Sequence, residues 1–105
     1  VLGAAYKKDV GDFRESPALD VIRLLKDKGG VISYNDPHVP LLHEDNMDLR
    51  SIDLSDYSAL KNYDCTVIVT DHSSYDYKKV VEYSNIVVDT RNATKGIVSD
   101  KIVRL

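Results

Sequence analysis

The 105-residue sequence has no tryptophan, one phenylalanine, one methionine and one cysteine. A single thiol, Cys65, excludes an internal disulfide and fits a reducing compartment, so a cytoplasmic location is expected. Apolar runs are short. None approaches the ~20 residues that span a bilayer, and no secretory leader is visible. An excess of positive charge is also missing: 14 Lys and Arg against 17 Asp and Glu leave a net charge of −3. That balance excludes a basic field for nucleic acid or an anionic membrane. A dinucleotide fingerprint, G-x-G-x-x-G at the first strand–helix turn, is absent as well. Gly3 is present, but Ala5 stands where the second glycine would be, and its side chain limits approach of a pyrophosphate to the backbone. NAD binding by this stretch alone is not expected.

What is present is organised around residues 2–17. Val1, Leu2, Ala4 and Ala5 are small or apolar and open as a strand. From Tyr6 the chain becomes a polar loop with Lys7, Lys8, Asp9, Asp12, Arg14 and Glu15. Ser16-Pro17 then reads as an N-cap followed by proline at the first helical position. Residues 17–28 predict an amphipathic helix with Ala18, Val21, Ile22 and Leu25 on one face, flanked by Leu19 and Leu24, and Gly29-Gly30 as its stop. Residues 31–35 predict a strand ended by Asp36-Pro37. Residues 38–56 read as a loop, with a short strand near 48–52, and residues 56–61 as a short helix. Residues 65–70 are β-branched and apolar, as in a central strand covered on both faces. Residues 75–83 predict a helix with a serine cap, 86–89 a strand, 90–95 a polar loop and 101–105 a last short strand.

This alternation predicts an α/β, three-layer Rossmann-like domain with a mostly parallel sheet of five or six strands. In a parallel sheet the carboxyl ends share one edge, where ligands bind. Three loops meet there, 6–14, 70–74 and 89–92, so Lys7, His72 and Arg91 are expected to face one crevice.

Each candidate has two readings. Lys7, Lys8 and Arg14 either hold phosphate groups or pair with Asp9, Asp12 and Glu15 as solvated charge. Arg91, after an apolar strand, is an anion ligand or a rim charge. His72 is a general base or, with no nucleophile in evidence, a loop hydrogen-bonder. Asp36 is a ribose-binding acid or a turn residue. His38 and His43 lack the spacing and the cysteines of a zinc site, so no metal is expected. Cys65, opening a buried strand, reads as an inert core thiol. No residue is assigned a catalytic role.

The opening Leu2-Gly-Ala-Ala-Tyr-Lys-Lys-Asp and Gly11-Asp-Phe-Arg-Glu-Ser-Pro-Ala-Leu19, with Tyr34-Asn-Asp-Pro37, Thr70-Asp-His72 and Val88-Asp-Thr-Arg-Asn92, resemble the C-terminal domain of UDP-glucose/GDP-mannose dehydrogenases. The likeness covers essentially the whole chain, and the Asp-Thr-Arg-Asn form resembles the branch acting on UDP-N-acetylhexosamines. Such enzymes oxidise C6 of a nucleotide sugar to a carboxylate in two NAD-dependent steps, using an N-terminal NAD domain and a cysteine segment. The resemblance therefore implies that residues 1–105 are a UDP-sugar-binding domain cut from a longer oxidoreductase of polysaccharide biosynthesis, inactive by itself. Cys65 does not match the catalytic cysteine's motif. By the same resemblance Tyr6, Lys7, Phe13 and Arg91 bind the substrate, and Arg14 reaches the NAD side. The implied partners are a UDP-sugar, the missing N-terminal and central domains, and further copies in a homo-oligomer. Two other readings stand beside it: an assembly module whose apolar residues from Val98 to Leu105 dock other domains or subunits, and a free-standing nucleotide binder.

Overall fold

A computed structural model describes residues 1–44 and 46–105; the part of the expected 38–56 loop that falls on Asp45 lies outside the described residues. Helix α1 spans Pro17–Asp27. Ser16 holds an extended backbone and its hydroxyl oxygen accepts from the Ala18 N–H at 3.2 Å, while Pro17 loses nothing by lacking an N–H in the first turn. The helix buries Ala18, Leu19 and Ile22; Val21 and Leu25 are only half-buried, and Leu24 is 60% exposed. The apolar stripe is therefore rotated from the expected one, towards the flank that meets both the sheet and a hairpin.

That hairpin is anticipated only in its second strand. Strands β1 (Leu41–Glu44) and β2 (Met47–Arg50) pair antiparallel, Leu41 opposite Arg50 and Glu44 opposite Met47. Its first strand lies where loop is expected, and its second overlaps the short strand expected near 48–52. With four residues per strand, period-two alternation has too few repeats to read. Leu42 and Met47 nevertheless point inward and are buried.

The central sheet is parallel, in the order β3 (Thr66–Ile68), β4 (Val87–Asp89), β5 (Ile102–Arg104), with Thr66 beside Val87 and Val87 beside Ile102. It continues past β3 through single bridges: Leu2 pairs with Ile68 on one side and Asn35 on the other, and Tyr34 with Ser51. The expected strands over 1–5 and 31–35 are thus reduced to short bridging segments. The first ends early because Gly3 takes φ +90° and the N–H groups of Ala4 and Ala5 donate to a side chain instead of a strand. Gly3 is also held tightly against its neighbour: a Cβ there would sit 2.6 Å from the Thr70 nitrogen and oxygen and closer still to the Thr70 Cβ. Its glycine serves strand packing.

A 3-10 helix, Tyr57–Asn62, and helix α2, Tyr77–Tyr83, complete the fold. The cap of α2 is Asp76, not a serine, and the helix begins two residues later than expected; the Asp76 carboxylate accepts from the Lys79 N–H. Val80 and Val81 are its buried face. Successive residues of a strand point to opposite faces, and the core divides accordingly. Val67 packs with Ala4, Ala18, Leu19, Ile22, Tyr34 and Leu42. Ile68 packs with Leu2, Leu60, Val80, Val81 and Val87. Helix α1 and the hairpin cover one face of the sheet, α2 and the 3-10 helix the other.

Candidate functional site

The loop that follows the first bridging segment is closed at its base by the Tyr6 N–H, which donates to the Asp12 carbonyl at 2.6 Å. Beyond that closure it is anchored at Asp9, which adopts φ +61°. The Asp9 N–H donates to His72 Nδ1 at 2.8 Å. The Asp9 carboxylate accepts from the Ser73 N–H at 2.8 Å and the Ser73 hydroxyl at 2.6 Å. Gly11 lies so close to residue 38 that a Cβ would come within 2.8 Å of the His38 carbonyl oxygen. The loops after the first segment and after β3 are thereby joined.

Beneath them sits a buried carboxylate. Asp36 Oδ2 accepts from the N–H groups of Ala4 (2.7 Å) and Ala5 (2.9 Å) and from His72 Nε2 (2.7 Å); its Oδ1 accepts from the His38 N–H (2.8 Å). Burial alone would raise this carboxyl, but the Ala4 N–H, the His72 ring and the His38 and Ala5 N–H groups outweigh it and hold Asp36 below its ordinary value. The two bonds fix the imidazole: Nε2 carries hydrogen for Asp36, and Nδ1 is the acceptor for Asp9. His72 is completely buried. It does not face a crevice with Lys7 and Arg91, as its loop position had suggested, because the tertiary fold turns it inward onto Asp36. Asp36 is neither a ribose ligand nor a mere turn residue; its oxygens are spent inside the protein.

The same Asp36 settles how a dinucleotide would fit. The amides of Ala4 and Ala5, at the turn where such folds present N–H groups to a pyrophosphate, are already capped by its carboxylate. NAD does not fit this turn.

Just past β3, the Thr70 hydroxyl donates to the Ala5 carbonyl at 2.7 Å, and from the loop after β4 Arg91 Nε donates to the Val69 carbonyl at 2.8 Å. Buried Asp89 shapes the loop that carries Arg91, accepting from the N–H groups of Arg91, Ala93 and Thr94 and from the Thr94 hydroxyl. Burial opposes ionisation of Asp89, yet the Thr94 hydroxyl and the surrounding N–H groups prevail and lower its pKa. Arg104 clamps the far end, donating to the carbonyls of Thr94 and Ile97.

The cations divide into engaged and unengaged. Arg14 forms a two-point pair with Asp12, Nε and a terminal nitrogen each 3.0 Å from a carboxylate oxygen, which lowers the Asp12 carboxyl. Lys7 and Lys8 are exposed and make no hydrogen bond or ion pair among the described residues. Arg91 spends Nε on the protein, and neither terminal nitrogen has a protein partner among the described residues. Tyr6 is 46% exposed and lines a shallow depression of about 410 Å³ with Asp12, Arg14 and Glu15. Phe13 is half-buried against the α1 core.

Asp9, His38 and His72 bring ligand atoms within 4.8 Å of one another. Both His72 nitrogens are in hydrogen bonds, however, so His72 has no lone pair to offer a cation while the Asp9 bond stands. Cys65 is exposed, not a core thiol, because β3 begins only at Thr66. Partial desolvation still raises its pKa, which disfavours the nucleophilic thiolate. In the sequence Asp9 reads only as a solvated partner for the loop cations, and Ser73 is not singled out; in the structure the two bond each other. The one local hint was Asp9 itself, an Asp near a glycine, able to take the left-handed conformation.

The pattern that describes the UDP-glucose/GDP-mannose dehydrogenase family, UDP binding domain, matches residues 1–96. The chain is 34% identical over 100 residues to a UDP-N-acetyl-D-mannosamine dehydrogenase of Methanococcus vannielii, covering 88% of this chain and 22% of the relative. It is 34% identical over 99 residues to a UDP-glucose 6-dehydrogenase of Gallus gallus, covering 82% and 19%. Among solved structures, a UDP-D-ManNAc dehydrogenase from Pyrococcus horikoshii superposes with a TM-score of 0.72 at 25% identity, over 98% of this chain and 24% of that one. The chain thus spans about a fifth of the length of the curated relatives it matches.

Proposed function

The chain belongs to the UDP-glucose/GDP-mannose dehydrogenase family, as a UDP binding domain, and from that premise we propose that it holds the diphosphate of a UDP-sugar at the carboxyl edge of its sheet. The observation that carries this reading is the pairing of an anchored loop with unengaged cations. Lys7 Nζ and the two terminal nitrogens of Arg91 have no partner among the described residues. The carboxylates of Asp9, Asp12, Asp36 and Asp89 are occupied by N–H and O–H donors. A lysine supplies a point charge and an arginine a planar fork, the two forms in which proteins grip phosphate. Tyr6 and the loop through Phe13 would line the nucleotide-sugar, and Arg14 would lie toward a nicotinamide-bearing domain. In the whole enzyme, placed in the cytoplasm, this C-terminal domain serves oxidation of a sugar C6 hydroxyl to a carboxylate. NAD and the reacting cysteine would come from segments outside these residues, so this chain alone carries no dehydrogenase activity.

Titration calorimetry with UDP tests the proposal. Binding is expected to be weak, since other domains share the site, and Lys7→Ala and Arg91→Ala should each weaken it by about tenfold. No heat up to millimolar UDP, with the chain shown to be folded by circular dichroism, overturns it. The exposure of Val98 (99%), Val103 (47%) and Leu105 (84%) favours a second reading, an assembly module. It predicts that the two substitutions leave any ligand effect unchanged while sedimentation shows association that depends on the Val98–Leu105 face.

A further inference from the structure

Resting on that reading, we propose that His72 and Asp36 are positioning residues, which set the Lys7 loop in the shape that receives the diphosphate. Lys7 stands two positions before Asp9, and Asp9 is where the loop is tied down. With the base closed at Tyr6 and Asp12, the bond from the Asp9 N–H to His72 Nδ1 tethers the loop's middle to a fully buried side chain. The other tether, from Asp9 to Ser73, is exposed and joins two loops to each other. His72 in turn is oriented from behind by Asp36, which also grips the amides of Ala4 and Ala5, where the loop leaves the sheet. Asp36 therefore holds the start of the loop directly and its far anchor through the imidazole.

The tether matters most if the free loop would otherwise sample many shapes. A tether of this kind contributes affinity by removing the ordering that binding would require. Asp9 also sits at φ +61°, a conformation that a non-glycine residue keeps only when its surroundings hold it there. The His38 ring packs on the His72 ring at 4.6 Å between centroids, and the Tyr77 hydroxyl donates to the His72 backbone carbonyl at 2.8 Å, so both ring and backbone of His72 are contacted.

Two substitutions divide the imidazole into its halves. In His72→Asn the amide oxygen occupies the place of Nδ1 and keeps an acceptor for Asp9, but nothing reaches Asp36. In His72→Gln the amide nitrogen reaches Asp36, but nothing accepts from Asp9. UDP affinity and melting temperature are measured for both. Positioning predicts that the glutamine variant, with no acceptor for Asp9, loses about tenfold in UDP affinity, one hydrogen bond's worth, and that the asparagine variant, which keeps the acceptor but is no longer oriented by Asp36, loses about threefold and melts lower. A purely structural histidine predicts that both variants lose stability and neither loses affinity; that result overturns the proposal. Should either variant fail to fold, amide hydrogen exchange on the unsubstituted chain decides. A protected Asp9 amide supports the tether, and free exchange there overturns it. If the unsubstituted chain binds no UDP, the nucleotide reading falls and this proposal with it. If it binds and the His72 variants bind equally, only this proposal falls.

Discussion

Gly3 offers the sharpest test of the packing that sets up the site. Alanine there meets two separate penalties. Its backbone sits at φ +90°, in the region L-residues avoid at about 1–2 kcal/mol. Its methyl would lie 2.6 Å from the Thr70 nitrogen and oxygen, so the segment just past β3 that carries Thr70 must shift, an overpacking cost of about 1–3 kcal/mol. Gly29 is an internal control: it has the same φ of +90° and no heavy atom within 4 Å of a built Cβ. Gly29→Ala should therefore lose only the conformational part, about 1–2 kcal/mol, and Gly3→Ala about 2–5 kcal/mol. Against a total stability of about 5–15 kcal/mol for a domain this size, the second loss brings the chain near unfolding. Urea denaturation of the two variants, with equal m-values as the check that the unfolded state is unchanged, gives the difference directly. Equal losses for both, within about 0.5 kcal/mol, which is the additivity error of such comparisons, would refute the view that Gly3 is there for contact with Thr70.

Two further outcomes follow from the same contacts. Asp36 and Asp89 are held below their ordinary carboxyl value of 3.8, so the unfolded chain binds more protons than the folded one as pH falls. Stability is then fully present above about pH 4–5 and is lost below it as these groups protonate; denaturation midpoints should fall between about pH 6 and about pH 3, and Asp36→Asn should flatten the slope. A midpoint that rises on acidification contradicts the assignment. Ser16→Ala removes both the α1 cap and the hydroxyl's bond to the Ala5 carbonyl and should cost about 1–2 kcal/mol, read as a drop in the thermal midpoint; an unchanged midpoint means the cap is redundant.

The parts legible in the sequence were those whose causes are local. Ser16-Pro17 announced the start of α1 because a cap and a first-turn proline act within a few residues. The β-branched run at 66–68 announced a buried strand, and the loops at 6–14 and 89–92 followed from alternation of strand and helix. Strand β1 and its pairing with β2 stayed hidden because four-residue strands carry too little period. The exposure of Cys65 depends on which residue starts β3, a matter of one position.

Sequence by itself determined the class of fold, the family likeness, and the presence of cations on loops that a parallel sheet gathers to one edge, since periodicity, capping and charge reside in neighbouring residues. Only the tertiary structure decided which of those cations stay unengaged, that Arg14 is taken by Asp12, and that His72 turns inward to link Asp9 with Asp36 across 63 and 36 positions of chain. The physical reason is that a hydrogen bond depends on distance in space and direction, and residues so far apart in sequence acquire both only when the sheet has brought their loops together.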